Sequence, residues 1–185
     1  EDVAFGPENL GVPTDEIRKR VDSALAQVGM SEFAQRAPHT LSGGQKQRIG
    51  IAGVLAMQPE LIVLDEPTSM LDPSGRMAVM QTLDELHDAG ITLIHITHSM
   101  EEALKAQRMI VMDQGRIVLD DTPQAVFSQH AEELLEWGLE LPVLMETAHL
   151  CKQYGLDVGA GITMEEMVNK ICLLYTSPSP RDRTR

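Results

Sequence analysis

Cysteines and aromatic residues are scarce in this chain, basic residues are outnumbered, and no apolar run is long. Two cysteines, Cys151 and Cys172, supply neither a disulfide framework nor a zinc-ligand spacing. Aromatics make up 3% of the 185 residues, so a core must be aliphatic. The longest stretch without Asp, Glu, Lys or Arg is Ala89–Met100, 12 residues. A helix crossing a bilayer needs about 20 apolar residues. Lys and Arg number 15 against 28 Asp and Glu, a formal charge of −13. That balance argues against a general binder of nucleic-acid backbones, which needs a basic stripe. It leaves room for a single phosphate site built from backbone N–H groups. No signal-peptide pattern is present, and a soluble, reducing, cytoplasmic setting is expected. What the chain does have is 43% hydrophobic residues, too many for a disordered polymer and enough for one ordinary domain.

Both ends are unusual. The first residue is Glu1, not Met, and the opening reads as the middle of a longer protein whose upstream part is missing. Cys172–Asp182 spells CLLYTSPSPRD, which resembles the in-frame translation of a transposase-based sequencing adapter. Residues 172–185 are therefore expected to be adapter-derived rather than part of the fold. A natural Ser/Pro/Arg tail is the alternative.

The periodicities predict a sequence of elements. Ile17, Val21, Leu25 and Val28 recur at helical spacing over Thr14–Val28, and Gly29 stops that helix. Ser42 can cap a helix with interior Gln45–Met57, ended by Pro59. Leu61–Leu64 and Ile91–Ile96 are short continuous apolar runs, the pattern of strands buried on both faces. Between them, Asp72 and Pro73 start a helix through His87, closed by Gly90. Ser99 and Glu102 suggest a capping box for a helix Met100–Ala106. Met109–Met112 and Arg116–Leu119 flank Asp113-Gln114-Gly115 as a hairpin. Thr122 and Pro123 start another short helix. Ala131–Ile171 is helical with breaks near Gly138–Pro142 and Gly155–Gly161, and Thr163 with Glu166 suggests a further capping box. Strand, helix, strand in the middle implies an α/β fold with a parallel sheet. The later helices form a small C-terminal extension, with a boundary near Ser128.

Three clusters can carry chemistry. In Leu41-Ser42-Gly43-Gly44-Gln45, a capping serine and two glycines open a helix. The exposed N–H groups and the helix dipole there favour an anion such as a terminal phosphate. A Gly-Gly turn before a helix is common in itself; the five residues in this order are much rarer. The second cluster, Leu61-Ile62-Val63-Leu64-Asp65-Glu66-Pro67, delivers two carboxylates to the C-terminal end of a strand, where open α/β sheets place ligands. Adjacent strand residues point to opposite sides, so one carboxylate can hold Mg²⁺ through water while the next faces an attacking water. A strand ending in a solvated acidic turn would carry the same residues. The third is His98, which ends the second strand as Asp65-Glu66 end the first. It could hydrogen-bond a phosphate oxygen. His39, His87, His95, His130 and His149 are read as structural.

Together these clusters closely resemble the ATP-binding cassette (ABC) ATPases. Leu41–Gln45 resembles the family signature and Leu61–Pro67 the Walker B strand. Ser69-Met70-Leu71-Asp72 resembles the D-loop, and Ile96-Thr97-His98 the switch-histidine loop. Their order and spacing agree as well: 20 residues from Gln45 to Asp65 and 33 from Asp65 to His98. Asp2–Leu10, Ile51–Met57 and Ser69–Pro73 further resemble the ATPase subunits of energy-coupling factor (ECF) transporters, importers of vitamins and transition-metal ions.

The resemblance implies a P-loop NTPase core, residues 1–128, lacking its N-terminal Walker A half, followed by a helical extension, residues 129–171. No G-x-x-x-x-G-K-[ST] segment occurs in the chain. The resemblance further implies ATP and Mg²⁺ as cofactors. Glu66 becomes the general base, with His98 its catalytic companion, and Asp65 the residue that orders the metal. Ser42, Gly43, Gly44 and Gln45 face ATP held by a partner cassette, and Asp72 communicates between the two sites. The implied partners are a second ABC ATPase, identical or not, a transmembrane coupling subunit and a substrate-binding membrane subunit, with no nucleic acid. The implied location is the cytoplasmic side of the cell membrane, as a peripheral subunit. The alternatives are a non-transport cassette acting on nucleic acid, disfavoured by the negative charge, and a regulatory cassette without catalysis, disfavoured by the presence of Glu66 and His98.

Overall fold

The structure, a computed structural model, describes residues 1–156, 158 and 164–176. It divides into two compact units, one of residues 1–97 and one beginning at His98. The first unit contains helices α1 (Phe5–Asn9), α2 (Thr14–Gln27) and α3 (Gly43–Leu55), strand β1 (Leu61–Asp65), helix α4 (Pro73–Asp88) and strand β2 (Thr92–Ile96). The second contains α5 (Met100–Ala103), strands β3 (Met109–Asp113) and β4 (Arg116–Asp121), and helices α6 (Pro123–Gln129), α7 (Ala131–Glu136), α8 (Val143–Gln153) and α9 (Met164–Thr176). No described helix is long and apolar enough to cross a membrane.

Local chemistry sets most of these boundaries. Helix α2 carries Asp15 and Glu16 in its first turn, where the dipole favours acids. It ends at Gly29, whose φ of 64° lets the Met30 N–H donate back to Leu25 O at 2.8 Å. Gly90, at φ 93°, closes α4 in the same way, with the Ile91 N–H on Leu86 O. Asp72 caps α4 and Pro73 occupies its first turn. The β3–β4 turn is Gln114-Gly115 with φ of 46° and 76°, the two left-handed residues a tight hairpin needs. Cys151 sits within α8 as an ordinary helix residue.

In the first unit β1 and β2 pair in parallel, from Leu61 opposite Thr92 to Asp65 opposite Ile96. Parallel neighbours need a crossover, and α4 supplies it. The core joins Ala24, Leu25 and Val28 of α2, Ile51, Ala52 and Leu55 of α3, Ile62 and Leu64 of β1, and Val79, Met80, Leu83 and Leu86 of α4. Each fully buried aliphatic side chain of this size contributes about 1.5–3 kcal/mol.

The expectation that both strands are buried on both faces is corrected. Ile62 and Leu64 are buried, but Leu61 and Val63 are 46% and 56% exposed, and Ile94 and Ile96 are 47% and 49% exposed. Helices cover only one side of this two-stranded sheet among the described residues. A continuous apolar run records that both faces are greasy; it does not say that both are covered.

In the second unit, β3 and β4 form a separate antiparallel sheet. Met100, Met109, Val111, Val126, Phe127, Leu134 and Leu141 make its core. That core runs through the expected boundary near Ser128, with Phe127 on one side of it and Leu134 on the other. The expected Ser99–Glu102 box is absent: the Ser99 side chain makes no capping bond, and α5 stops at Ala103 rather than Ala106. Helix α9 runs on to Thr176, five residues into the adapter-like string, because Leu173-Leu174-Tyr175 contain no breaker before Pro178. Thr163, and with it the last capping box, lies outside the described residues, as do residues 177–185.

One surface pair gives the hairpin a pH dependence. The Arg108 guanidinium donates two hydrogen bonds of 2.7 Å to the Asp120 carboxylate. Those bonds chiefly, with the guanidinium charge, hold Asp120 below the usual carboxylate range. A lowered folded-state pKa stabilises above the unfolded value and is lost as pH falls through the folded one. Asp120→Asn is therefore expected to leave acid unfolding less steeply pH-dependent, with the difference confined to the acid limb. Urea midpoints of both proteins, taken from neutral pH downward, check this.

Candidate functional site

Helix α3 begins with a reciprocal cap. Ser42 has extended backbone, and its hydroxyl accepts the Gln45 N–H at 3.3 Å. The Gln45 side-chain oxygen accepts the Ser42 N–H at 2.9 Å. The first and last residues of Ser42-Gly43-Gly44-Gln45 thus lock each other. Helix geometry leaves the N–H groups of Gly43 and Gly44 without intrahelical acceptors, at the positive end of the dipole. Ser42→Ala is expected to destabilise the protein by about 1 kcal/mol through the lost cap. Chemical denaturation measures it, and an unchanged midpoint would show that the cap contributes nothing.

Helix α4 opens beside it. The Asp72 carboxylate accepts the Gly75 N–H at 3.3 Å. A Cβ placed on Gly44 would lie 2.8 Å from Gly75 Cα, and one on Gly43 would lie 3.1 Å from Leu71 Cδ2. Residues 42–45 and 69–72, apart in sequence, therefore share one edge formed by two capped helix starts. Gly75 was not among the residues singled out from the sequence. Its signal was a glycine in the third position of a helix, where alanine is favoured by about 1 kcal/mol.

The two acidic residues sit at the end of β1. Asp65 is the strand's last residue and is exposed; Glu66 is half-buried. The Glu66 N–H donates to Ile96 O at 2.9 Å, one step beyond the last β1–β2 pair. Glu66 then turns to φ 47°, a left-handed conformation uncommon for a residue with a Cβ. The strand alternation expected for Asp65 and Glu66 is thus corrected, since Glu66 has left the strand. Its carbonyl is pinned from below: the Ser69 N–H and hydroxyl both donate to it, at 3.3 and 3.1 Å. Backbone strain of this kind costs about 1–3 kcal/mol and persists only where surroundings over-determine it. The sequence placed Ser69 in the D-loop resemblance but gave no sign of its contact with Glu66.

His98 is exposed and opens the second unit, two residues beyond Ile96 and two before the start of α5. No described group of three or more His, Cys, Asp or Glu residues could hold a metal ion by itself. Mg²⁺ keeps several waters and is commonly held by one or two carboxylates plus substrate phosphates. Asp65, exposed at a strand end, fits that modest role. A groove of about 660 Å³ in the second unit, lined by residues such as Leu104, Pro123, Val143 and Met145, contains none of the residues nominated from the sequence.

Residues 3–69 match the family model of ABC transporters. Over 174 residues the chain is 57% identical to the energy-coupling factor transporter ATP-binding protein EcfA1 of Caldanaerobacter subterraneus subsp. tengcongensis, covering 93% of this chain and 62% of that protein. It is 49% identical over 177 residues to the EcfA protein of Methanosarcina acetivorans, covering 95% of this chain and 64% of the relative. Among solved structures, cbiO1 from Clostridium perfringens, part of the ABC transporter complex cbiONQ, superposes with a TM-score of 0.64 at 41% identity. That superposition covers 78% of this chain and 58% of cbiO1. The chain thus spans a little under two thirds of the length of these curated relatives.

Proposed function

This chain is a close relative of the ATP-binding subunits of energy-coupling factor ABC transporters, and from that premise we propose that it is the signature-to-switch portion of an ATPase that powers import of a vitamin or metal ion. Its fold is of the ABC-ATPase kind, with one parallel and one antiparallel sheet among the described residues. The observation that carries the functional reading is the construction of the first unit. It pairs a capped Gly-Gly helix start with a strand that ends in Asp65 and a strained Glu66.

The chemistry follows from those groups. Glu66 accepts a proton from water as the water oxygen attacks the γ-phosphorus, and the bond from phosphorus to the bridging oxygen of ADP breaks. A positioned base of this kind contributes about 10²–10⁴ in rate. Asp65 would hold Mg²⁺ through its water shell, and the ion when bound would supply positive charge to the phosphates. His98 donates a hydrogen bond to a γ-phosphate oxygen. Ser42, Gly43, Gly44 and Gln45 bind the γ-phosphate of ATP seated on a partner cassette, and Asp72 links that contact to the second site. ATP thus joins two cassettes and hydrolysis releases them.

The chain contains no G-x-x-x-x-G-K-[ST] segment with which to cradle the phosphates of its own nucleotide. The open face of Leu61, Val63, Ile94 and Ile96 is apolar and accords with a cassette sheet that packs a further layer there. The partners are a second cassette, a transmembrane coupling subunit and a substrate-binding membrane subunit, on the cytoplasmic side of the membrane.

The experiment is reconstitution of the full-length protein with its co-encoded membrane subunits in liposomes. ATP-driven uptake of labelled cargo, with hydrolysis stimulated by the membrane partners, is the expected result. Hydrolysis stimulated by DNA and indifferent to the membrane subunits would replace the transport reading with the nucleic-acid one.

A further inference from the structure

Two glycines on different helices meet where the starts of α3 and α4 cross. Gly44 is buried, and a Cβ there would lie 2.8 Å from Gly75 Cα and 3.3 and 3.4 Å from Gly75 O and C. These are backbone atoms, which cannot swing aside as a side-chain tip can. From the other side, a Cβ on Gly75 would lie 2.8 Å from the Asp72 carboxylate oxygen that caps α4, and 3.5 Å from Gly44 Cα. The close approach of the two backbones at this seam therefore requires that Gly44 carry no side chain, while a side chain on Gly75 would crowd the Asp72 cap. Gly50, farther along α3, has nothing within 4 Å of its own Cβ position, so the helix does not exclude side chains everywhere.

We infer that Gly75 is a positioning residue, which holds the Ser42–Gln45 helix start and the Asp72 loop in a fixed relation by admitting Gly44 into direct backbone contact. This rests on the reading that Ser42–Gln45 and Asp72 act on nucleotide. Gly75 itself touches no substrate. Its place in the third position of α4 makes it costly for the helix, and the close crossing accounts for that choice. Any side chain at Gly75 places a Cβ 2.8 Å from the capping Asp72 oxygen, so that carboxylate must shift. Any side chain at Gly44 must separate α3 from α4. Either movement shifts phosphate-facing N–H groups, and displacement by about 1 Å can cost about 100-fold in rate.

The test compares Gly75→Ala with Gly50→Ala in the full-length protein assembled with its membrane partners. Gly75→Ala is expected to lower kcat by about tenfold while KM for ATP changes less than about twofold, because positioning is lost rather than the nucleotide cradle. Gly50→Ala is expected to keep the unsubstituted rate. A role in stability alone would lower the melting temperature and leave kcat untouched below it. Wild-type kcat in folded Gly75→Ala would overturn the proposal. Should Gly75→Ala fail to fold, Leu71→Ala decides, since Leu71 packs against both Gly43 and Gly75 at this crossing and has no assigned contact with nucleotide. A smaller but distinct fall in its kcat supports the seam, and an unchanged kcat overturns it. Glu66→Gln is measured alongside. If it too hydrolyses ATP normally, the functional reading has failed; if it alone is inactive, only the seam proposal has.

Discussion

Glu66→Gln is expected to reduce steady-state ATP hydrolysis by the full-length protein about 10²–10⁴-fold, while leaving ATP-dependent pairing of cassettes intact. The amide has the shape of the carboxylate and can still orient a water, but it cannot take the water's proton. Binding steps that precede proton transfer are untouched, so the ATP-bound pair accumulates instead of turning over. Phosphate release and gel filtration with MgATP read the two halves of this result. Near-wild-type turnover would remove Glu66 from the role. The backbone adds a second readout. Because Glu66 lies at φ 47°, removing the side chain as Glu66→Gly should give a more stable protein than Glu66→Ala, by about 1 kcal/mol. Both variants lack the base, so the difference isolates the left-handed strain. Equal stability of the two would mean that the backbone relaxes once the carboxylate is gone.

The second large effect is an absence of activity. The 185-residue chain by itself is expected to hydrolyse no MgATP above buffer, because it contains no G-x-x-x-x-G-K-[ST] segment. The magnitudes support this. One helix start contributes about 0.3–2 kcal/mol to an anion, whereas micromolar affinity needs about 8 kcal/mol. A rate that purifies with the chain and disappears in Glu66→Gln would show that these residues bind nucleotide without a separate cradle.

Much of the candidate site could be read from residue order. Asp72-Pro73 announces a helix start, Gly29 and Gly90 announce helix ends, and Gln114-Gly115 announces a hairpin, because each depends on atoms within about five residues. Ser42 and Gln45 belong to the same class, since their mutual cap closes within one turn. The Ser99–Glu102 box failed although its spacing was right. A capping pair needs the serine rotamer as well as the sequence, and α5, with four residues, is too short to enforce it.

What residue order by itself determined here is the list of chemical groups and the local frames that carry them: a capped Gly-Gly helix start, a strand ending in Asp65-Glu66, and a histidine after the next strand. Only the tertiary structure decided that Gly44 rests on Gly75, 31 positions away, that Glu66 abandons its strand for a left-handed turn held by Ser69 and Ile96, and that one face of β1 and β2 lies open. The physical reason is range. Caps and turns are settled by hydrogen bonds among near neighbours, whereas a helix crossing, a strained residue and the covering of a sheet face depend on which distant surfaces pack together, and no local pattern records that.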